Sequence, residues 1–270
     1  MTGPQIGLSM LHCLGEPFKR MTQRIPNVGT AYIELVDDGL HELTGRRVSA
    51  LREISSSYGK EYSVHAPFAD VNIASPSRPL LGAMLKRLEQ SIAHARALEA
   101  YMWVFHPGMR TGISMFYPGA DWLQNLKTAN VLARMAEKYG VKVAIENVPE
   151  PYPFLMKSVE DFERFYVEAD ERIGLVLDVG HSNLNGQTEL FLKAFRDRIV
   201  HMHVSDNDGR NDQHLGVGNG TVQWNKLAEL VNKASYAKVI VVESVEHAKE
   251  SVGKLKQLLL HRDESEQNTD

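Results

Sequence analysis

Eight times along this chain a short β-rich run is followed by a helical pattern, and most of the runs end in a metal-ligating residue type. Hydrophobic strands that close on His, Glu or Asp place those side chains at the carboxyl edge of a parallel sheet. That edge is where α/β barrels build their active sites. The pattern therefore predicts a metal-dependent barrel enzyme, and the ligand-bearing runs are residues 62–65, 103–106, 143–146, 175–178, 201–203 and 240–243.

The alternation also predicts the domain organisation. Strands that are almost continuously apolar, each followed by a helix, indicate a parallel sheet covered by helices. A length of 270 residues fits either one barrel or two ordinary domains. No Pro/Gly-rich linker or break in composition separates the units, so we expect α/β architecture in a single (β/α)8 TIM barrel. This domain is predicted over residues 1–261, followed by a frayed tail over 262–270.

Composition restricts the class of protein and the type of metal ligand. The formal net charge of −4 offers no overall basic surface for a phosphate-rich polymer. No apolar stretch approaches the roughly 18 residues of a membrane span, and the first 20 residues do not resemble a signal peptide. We therefore expect a cytoplasmic protein without a membrane partner. Because Cys13 is the single cysteine, metal ligands should be His and carboxylate side chains.

Three carboxylates are predicted to converge at the top of the barrel. Residues two apart along a strand share a face, so Glu146, Asp178 and Glu243 continue the rows that face the barrel interior. Three converging buried carboxylates would each cost several kcal/mol without a cation. A divalent metal is the simplest explanation, and a structural ion-pair network is the alternative. A hydrogen-bonded core histidine is the corresponding alternative for the strand histidines, and it is the preferred interpretation of His201.

The order of these motifs resembles the xylose-isomerase-like barrel superfamily over essentially the whole chain. That superfamily includes sugar-phosphate isomerases and epimerases as well as abasic-site nucleases of the endonuclease IV type. The motifs that carry the resemblance are His65-Ala-Pro, His106-Pro-Gly, Glu146-Asn, Asp178-Val-Gly-His181, His203-Val-Ser-Asp206, Asp212-Gln-His214 and Glu243.

The resemblance implies a set of ligands for each branch. In the isomerases and epimerases, one metal site is formed by the positions of Glu146, Asp178, His203 and Glu243, and the two glutamates also transfer protons. The nuclease type adds a second site, His65 and His106 with Glu146 as a bridge, and a third site, His181 with Asp212 and His214. We therefore expect one to three divalent ions, preferably Zn, with Mn, Fe, Co or Mg also compatible with His and carboxylate ligands.

The loops distinguish the two branches. The nuclease type follows its second strand with basic and aromatic residues that probe DNA, whereas this chain has Glu34-Leu-Val-Asp37-Asp38-Gly, interpreted as an acidic loop. This difference favours an isomerase or epimerase whose partner is a small sugar or sugar phosphate. Retention of the full ligand set keeps the alternative open, a zinc phosphodiesterase of the endonuclease IV type with DNA as its partner. The sequence leaves the exact substrate, the metal and the oligomeric state open.

Overall fold

Eight parallel strands close into a barrel in which each strand pairs with its neighbours in chain order and the last pairs with the first. The computed structural model describes residues 3–260. The closed barrel confirms the predicted fold class, while the predicted tail over residues 262–270 lies outside the described residues. The strands are β1 Gln5–Ser9, β2 Tyr32–Val36, β3 Glu61–His65, β4 Met102–Phe105, β5 Val143–Glu146, β6 Gly174–Asp178, β7 Ile199–Val204 and β8 Val239–Val242.

Helices surround the barrel and follow the strands along the chain. Short 3-10 helices occupy Met10–Cys13, Ile25–Asn27, Gly39–His41 and Gly112–Met115. Between residues 3 and 260, none of the helices combines the length and the apolar character that crossing a bilayer requires. The α-helices are α1 Phe18–Arg24, α2 Gly45–Tyr58, α3 Arg78–Ala97, α4 Ala120–Tyr139, α5 Val159–Glu168, α6 Val179–Leu184, α7 Thr188–Ala194, α8 Trp224–Lys233 and α9 Ala248–Leu260.

The strands are apolar because both faces of the sheet are covered. Every residue of β4 and of β8 is buried, as expected where helices lie outside the sheet and side chains fill the barrel inside it. The helices are amphipathic instead. In α5, Phe162 and Phe165 are fully buried, whereas Val167 on the opposite side is 86% exposed. The Ser158 side chain accepts from the Asp161 backbone N–H and so caps the start of this helix.

Strand pairing brings the carboxyl ends of β5 to β8 together at one end of the barrel. In the parallel register Glu146 is opposite Val176, and Asp178 is opposite His203. On the other side of β7, His203 is opposite Val241, two residues before Glu243. Because pairing partners on neighbouring strands face the same side of a sheet, these polar side chains share the upper end of the barrel interior.

We expect Phe162→Ala to lower the free energy of unfolding by about 3–5 kcal/mol, because it leaves a cavity in a packed core. The Phe162 ring lies 5.6 Å from the Phe191 ring and 6.2 Å from the Phe195 ring, measured between centroids. The control is Val167→Ala on the same helix, which should change stability by less than about 0.5 kcal/mol. Urea denaturation followed by circular dichroism measures both; equal losses would contradict this packing.

Candidate metal centre

Four buried side chains from neighbouring strands form a central quartet. Glu146 ends β5, Asp178 ends β6, His203 lies near the end of β7 and Glu243 follows β8. One ligand atom from each lies within 4.8 Å of the others. His203 Nδ1 is 3.0 Å from Glu146 Oε1 and 3.4 Å from Glu243 Oε2. The strand-end residues predicted to converge therefore do so, with one oxygen of each glutamate close to the same imidazole nitrogen.

A second cluster joins His65 and His106 to the same glutamate. The Nε2 atoms of both histidines are 3.3 Å from Glu146 Oε2. His65 Nδ1 lies 2.9 Å from the carbonyl oxygen of Ala66, to which it donates. That hydrogen bond leaves Nε2 facing a carboxylate oxygen, so a proton or a metal ion must lie between them. Burial alone would lower the pKa of His65, but Glu146 raises this pKa to about 9.

A third cluster contains His181, Asp212 and His214. Both histidines place Nε2 3.4 Å from Asp212 Oδ2. Their Nδ1 atoms contact backbone carbonyls, His181 that of Asn147 at 2.8 Å and His214 that of Glu243 at 3.1 Å. Burial opposes protonation of these histidines, yet the nearby carboxylates raise the pKa of His181 to about 10 and that of His214 to about 9.

The quartet's two glutamates have opposite pKa shifts. Burial raises the pKa of Glu243 to about 7. Burial would also raise the pKa of Glu146, but contact with His203, His106 and His65 lowers it well below the usual range. Carboxyl groups with separated pKa values can take different roles in proton transfer.

Unpartnered oxygens test whether the site fits a metal. Within the described part of the chain, Glu146 Oε2, Asp178 Oδ2 and Asp212 Oδ1 are buried without a hydrogen-bond partner. Buried polar atoms normally have partners, and each of these oxygens belongs to one of the clusters above. Imidazole nitrogen and carboxylate oxygen are donors that suit Zn, Mn, Fe or Co. The residues present therefore fit a divalent cation.

Asp206 fixes the loop that carries Asp212 and His214, two members of the third cluster. Its carboxylate accepts from the backbone N–H of Gly218 at 3.0 Å and from Trp224 Nε1 at 2.7 Å. Its backbone also pairs with Leu215, the residue after His214. The loop between β7 and α8 is thus tied to the barrel by a buried acidic residue close to its start.

Glu34 is the residue of this site that sequence reasoning missed. It lies inside β2 and is fully buried, so the interpretation of Glu34 as part of an acidic loop is wrong. Its Oε1 is 3.0 Å from His203 Nε2, and its Oε2 is 3.2 Å from His201 Nε2. His201 has the hydrogen-bonded core position expected for it. One feature of the sequence could have revealed this position, because Glu34 is the single acidic residue within the otherwise apolar run of residues 32–36.

The chain is similar to known proteins in sequence and in structure. The family described as xylose isomerase-like TIM barrel matches residues 23–261. An uncharacterised protein of Methanocaldococcus jannaschii is 28% identical over 244 residues, which are 89% of this chain and 83% of that protein. A solved structure of a D-tagatose 3-epimerase-like protein has a TM-score of 0.88 and 27% identity, over 94% of this chain and 97% of that chain. A probable endonuclease 4 of Lysinibacillus sphaericus is 24% identical over 186 residues, 63% of this chain and 61% of that protein.

We expect metal binding at the quartet to release protons and to weaken as the pH falls through about 7, the pKa of Glu243. A protonated Glu243 binds a cation more weakly than an ionised one, and His203 must free a nitrogen, so protons compete with the metal. Calorimetric titration of zinc into metal-depleted protein, in two buffers with different heats of ionisation, counts the released protons. Heats that do not depend on the buffer, with an affinity that does not depend on pH, would contradict this expectation.

Proposed function

We propose that this chain, which belongs to the xylose isomerase-like TIM barrel family, is a divalent-metal-dependent isomerase or epimerase of a small sugar or sugar phosphate. The observation that carries this proposal is the quartet, in which Glu146 and Glu243 flank His203 at the top of the barrel. Similarity to the D-tagatose 3-epimerase-like protein, at 27% identity against 24% for the probable endonuclease 4, supports the same class.

The quartet would hold the cation through Glu146, Asp178, His203 and Glu243. When bound, a divalent ion polarises the carbonyl and hydroxyl oxygens of a hydroxy-ketone and makes the neighbouring C–H bond more acidic. The side chains would carry out the proton transfers. The two glutamates approach the site from β5 and from the end of β8, so they can act on a carbon held between them.

Proton transfer then needs one carboxylate and one carboxylic acid. The ionised glutamate removes the proton next to the carbonyl group, and the electrons of the broken C–H bond move to the carbonyl oxygen. The protonated glutamate returns a proton to the opposite face of the same carbon while the carbonyl group re-forms, which inverts that carbon. Return of the proton to the adjacent carbon, with the hydroxyl proton moving to the former carbonyl oxygen, gives the isomer. In the metal-free site the pKa of Glu146 is low and that of Glu243 is about 7, so the two carboxyl groups already differ in their affinity for a proton.

The second and third clusters, called the outer clusters from here on, would bind the substrate in this proposal. His65, His106 and His214 present imidazole nitrogens beside the quartet, and Asp212 presents a carboxylate oxygen. Imidazole can donate to a hydroxyl or phosphate oxygen, and a carboxylate can accept from a hydroxyl group. Phe68 packs against both His65 and His106, with ring centroids 5.3 and 5.5 Å apart, and adds an apolar wall.

A second candidate is a phosphodiesterase of the endonuclease IV type. The specific observation that favours it is that the histidine clusters at Glu146 and at Asp212 have the composition of further metal sites. Several clustered cations suit phosphodiester hydrolysis because they stabilise the attacking and leaving oxygens. The similarity to a probable endonuclease 4 agrees with this candidate.

We expect Glu146→Gln and Glu243→Gln each to lower kcat for sugar epimerisation by about 100- to 10,000-fold, the usual contribution of a general acid or base. Zinc-loaded or manganese-loaded protein is incubated with a panel of ketoses and ketose phosphates in D2O. Wild-type protein should exchange solvent deuterium into the carbon next to the carbonyl group. The matched control is Glu229→Gln on the exposed face of α8, which should leave the rate unchanged. Full exchange by both site variants would contradict the proposal.

Alanine variants of the outer clusters separate the two candidates. If the protein is an isomerase or epimerase, His65→Ala and Asp212→Ala should raise KM more than they lower kcat, because they remove substrate binding. If it is a phosphodiesterase, the same variants should lower kcat on abasic-site DNA by orders of magnitude, with binding that weakens steeply in salt. Turnover of abasic DNA without turnover of any sugar would overturn the preferred function.

A further inference from the structure

The geometry points to Glu34 as a positioning residue that determines which nitrogen of His203 is available to a metal. The Oε1 atom of Glu34 and the Nε2 atom of His203 are 3.0 Å apart, and each is buried without a hydrogen-bond partner. A proton on Nε2 would have this oxygen as its acceptor and would leave Nδ1 as the ligand atom in the quartet. This inference rests on the proposed metal-dependent function and adds a residue outside its ligand set. The three side chains that carry it, Glu34, His201 and His203, are fully buried.

The two nitrogens of His203 face different carboxylates. Nδ1 lies 3.0 Å from Glu146 Oε1 and 3.4 Å from Glu243 Oε2, inside the quartet. Nε2 lies 3.0 Å from Glu34 Oε1, on the side away from the quartet. A neutral imidazole has one N–H and one lone pair. Only the tautomer with its proton on Nε2 directs a lone pair towards the site and a hydrogen towards Glu34.

Glu34 is fixed from below by its own hydrogen bonds. Ser63, its register partner on β3, donates its hydroxyl to Glu34 Oε2 at 2.9 Å. His201 Nε2 is 3.2 Å from the same oxygen. Tyr101 donates its hydroxyl to Ser63 Oγ at 3.2 Å. This series of contacts holds one carboxylate oxygen of Glu34 and leaves the other facing His203.

A carboxylate behind a metal-bound histidine has a known physical effect. It orients the ring, fixes the tautomer and makes the ligating nitrogen more basic, and its loss weakens metal binding by about 10- to 100-fold. Glutamine at position 34 would keep the volume but lose the charge. Its amide could also donate to Nε2 of His203, which would favour the opposite tautomer.

The test compares zinc affinity in Glu34→Gln and wild-type protein by competition with a chromophoric chelator. We expect the tightest site to weaken by about 10- to 100-fold. The matched control is Asp37→Asn, one residue beyond β2, which removes a fully buried carboxylate paired with Arg87 at 2.7 Å, outside the quartet. Asp37→Asn should lose stability and keep its zinc affinity. Unchanged zinc affinity in Glu34→Gln would overturn the inference.

A second measurement needs no variant at position 34, so it decides the matter even if Glu34→Gln does not fold. Nitrogen NMR of zinc-loaded, ¹⁵N-histidine-labelled protein, assigned with His203→Gln, reports the state of each ring nitrogen. We expect a protonated Nε2 and a zinc-bound Nδ1 in His203. Zinc on Nε2 would overturn the inference and would instead make Glu34, His201 and His203 a cation site.

The two proposals fail in distinguishable ways. If the wild-type protein binds zinc and epimerises sugars but its zinc affinity does not depend on Glu34, this inference alone is wrong. A wild-type protein that binds no divalent metal removes the proposed function together with it.

Discussion

Burial of several carboxyl groups at the top of the barrel is the constraint on which the rest of the site depends. Glu34, Glu146, Asp178 and Glu243 are all at most 4% exposed. An unpaired buried carboxylate is strongly unfavourable, and four of them so close together would destabilise the fold. The barrel places histidine side chains between them, and each histidine brings a proton or makes room for a cation. The histidines therefore offset much of the cost of burying these carboxyl groups.

The histidines of this site have two opposite ring orientations. His65, His181 and His214 each direct Nδ1 to a backbone carbonyl and present Nε2 to a carboxylate. His203 has the reverse arrangement, with Nδ1 facing Glu146 and Nε2 facing Glu34. The difference follows from position. The outer histidines lie near strand ends and loops, where free carbonyls are available, whereas His203 lies within β7, whose carbonyls pair with neighbouring strands.

The sequence predicted the barrel and the convergence of its ligands for one reason: parallel strands of similar length end at the same edge. A residue type at a strand end is therefore enough to place Glu146 or Asp178. Glu34 lies in the middle of β2, where alternation does not reveal which face is interior, and its partner His201 is 167 residues away in sequence.

Which of the two candidate reactions the site can perform depends on what binds one carboxylate oxygen, Glu146 Oε2. Glu146 Oε2 lies 3.3 Å from both His65 Nε2 and His106 Nε2, while Glu146 Oε1 faces His203 at 3.0 Å. If a cation occupied the His65 and His106 cluster, both oxygens of Glu146 would be ligands, and neither could exchange a proton with a substrate carbon. Proton transfer by Glu146 therefore requires these two histidines to bind substrate or protons instead of a metal. One carboxylate cannot bridge two cations and act as a base in the same cycle, so occupancy of this outer cluster separates hydrolysis from epimerisation.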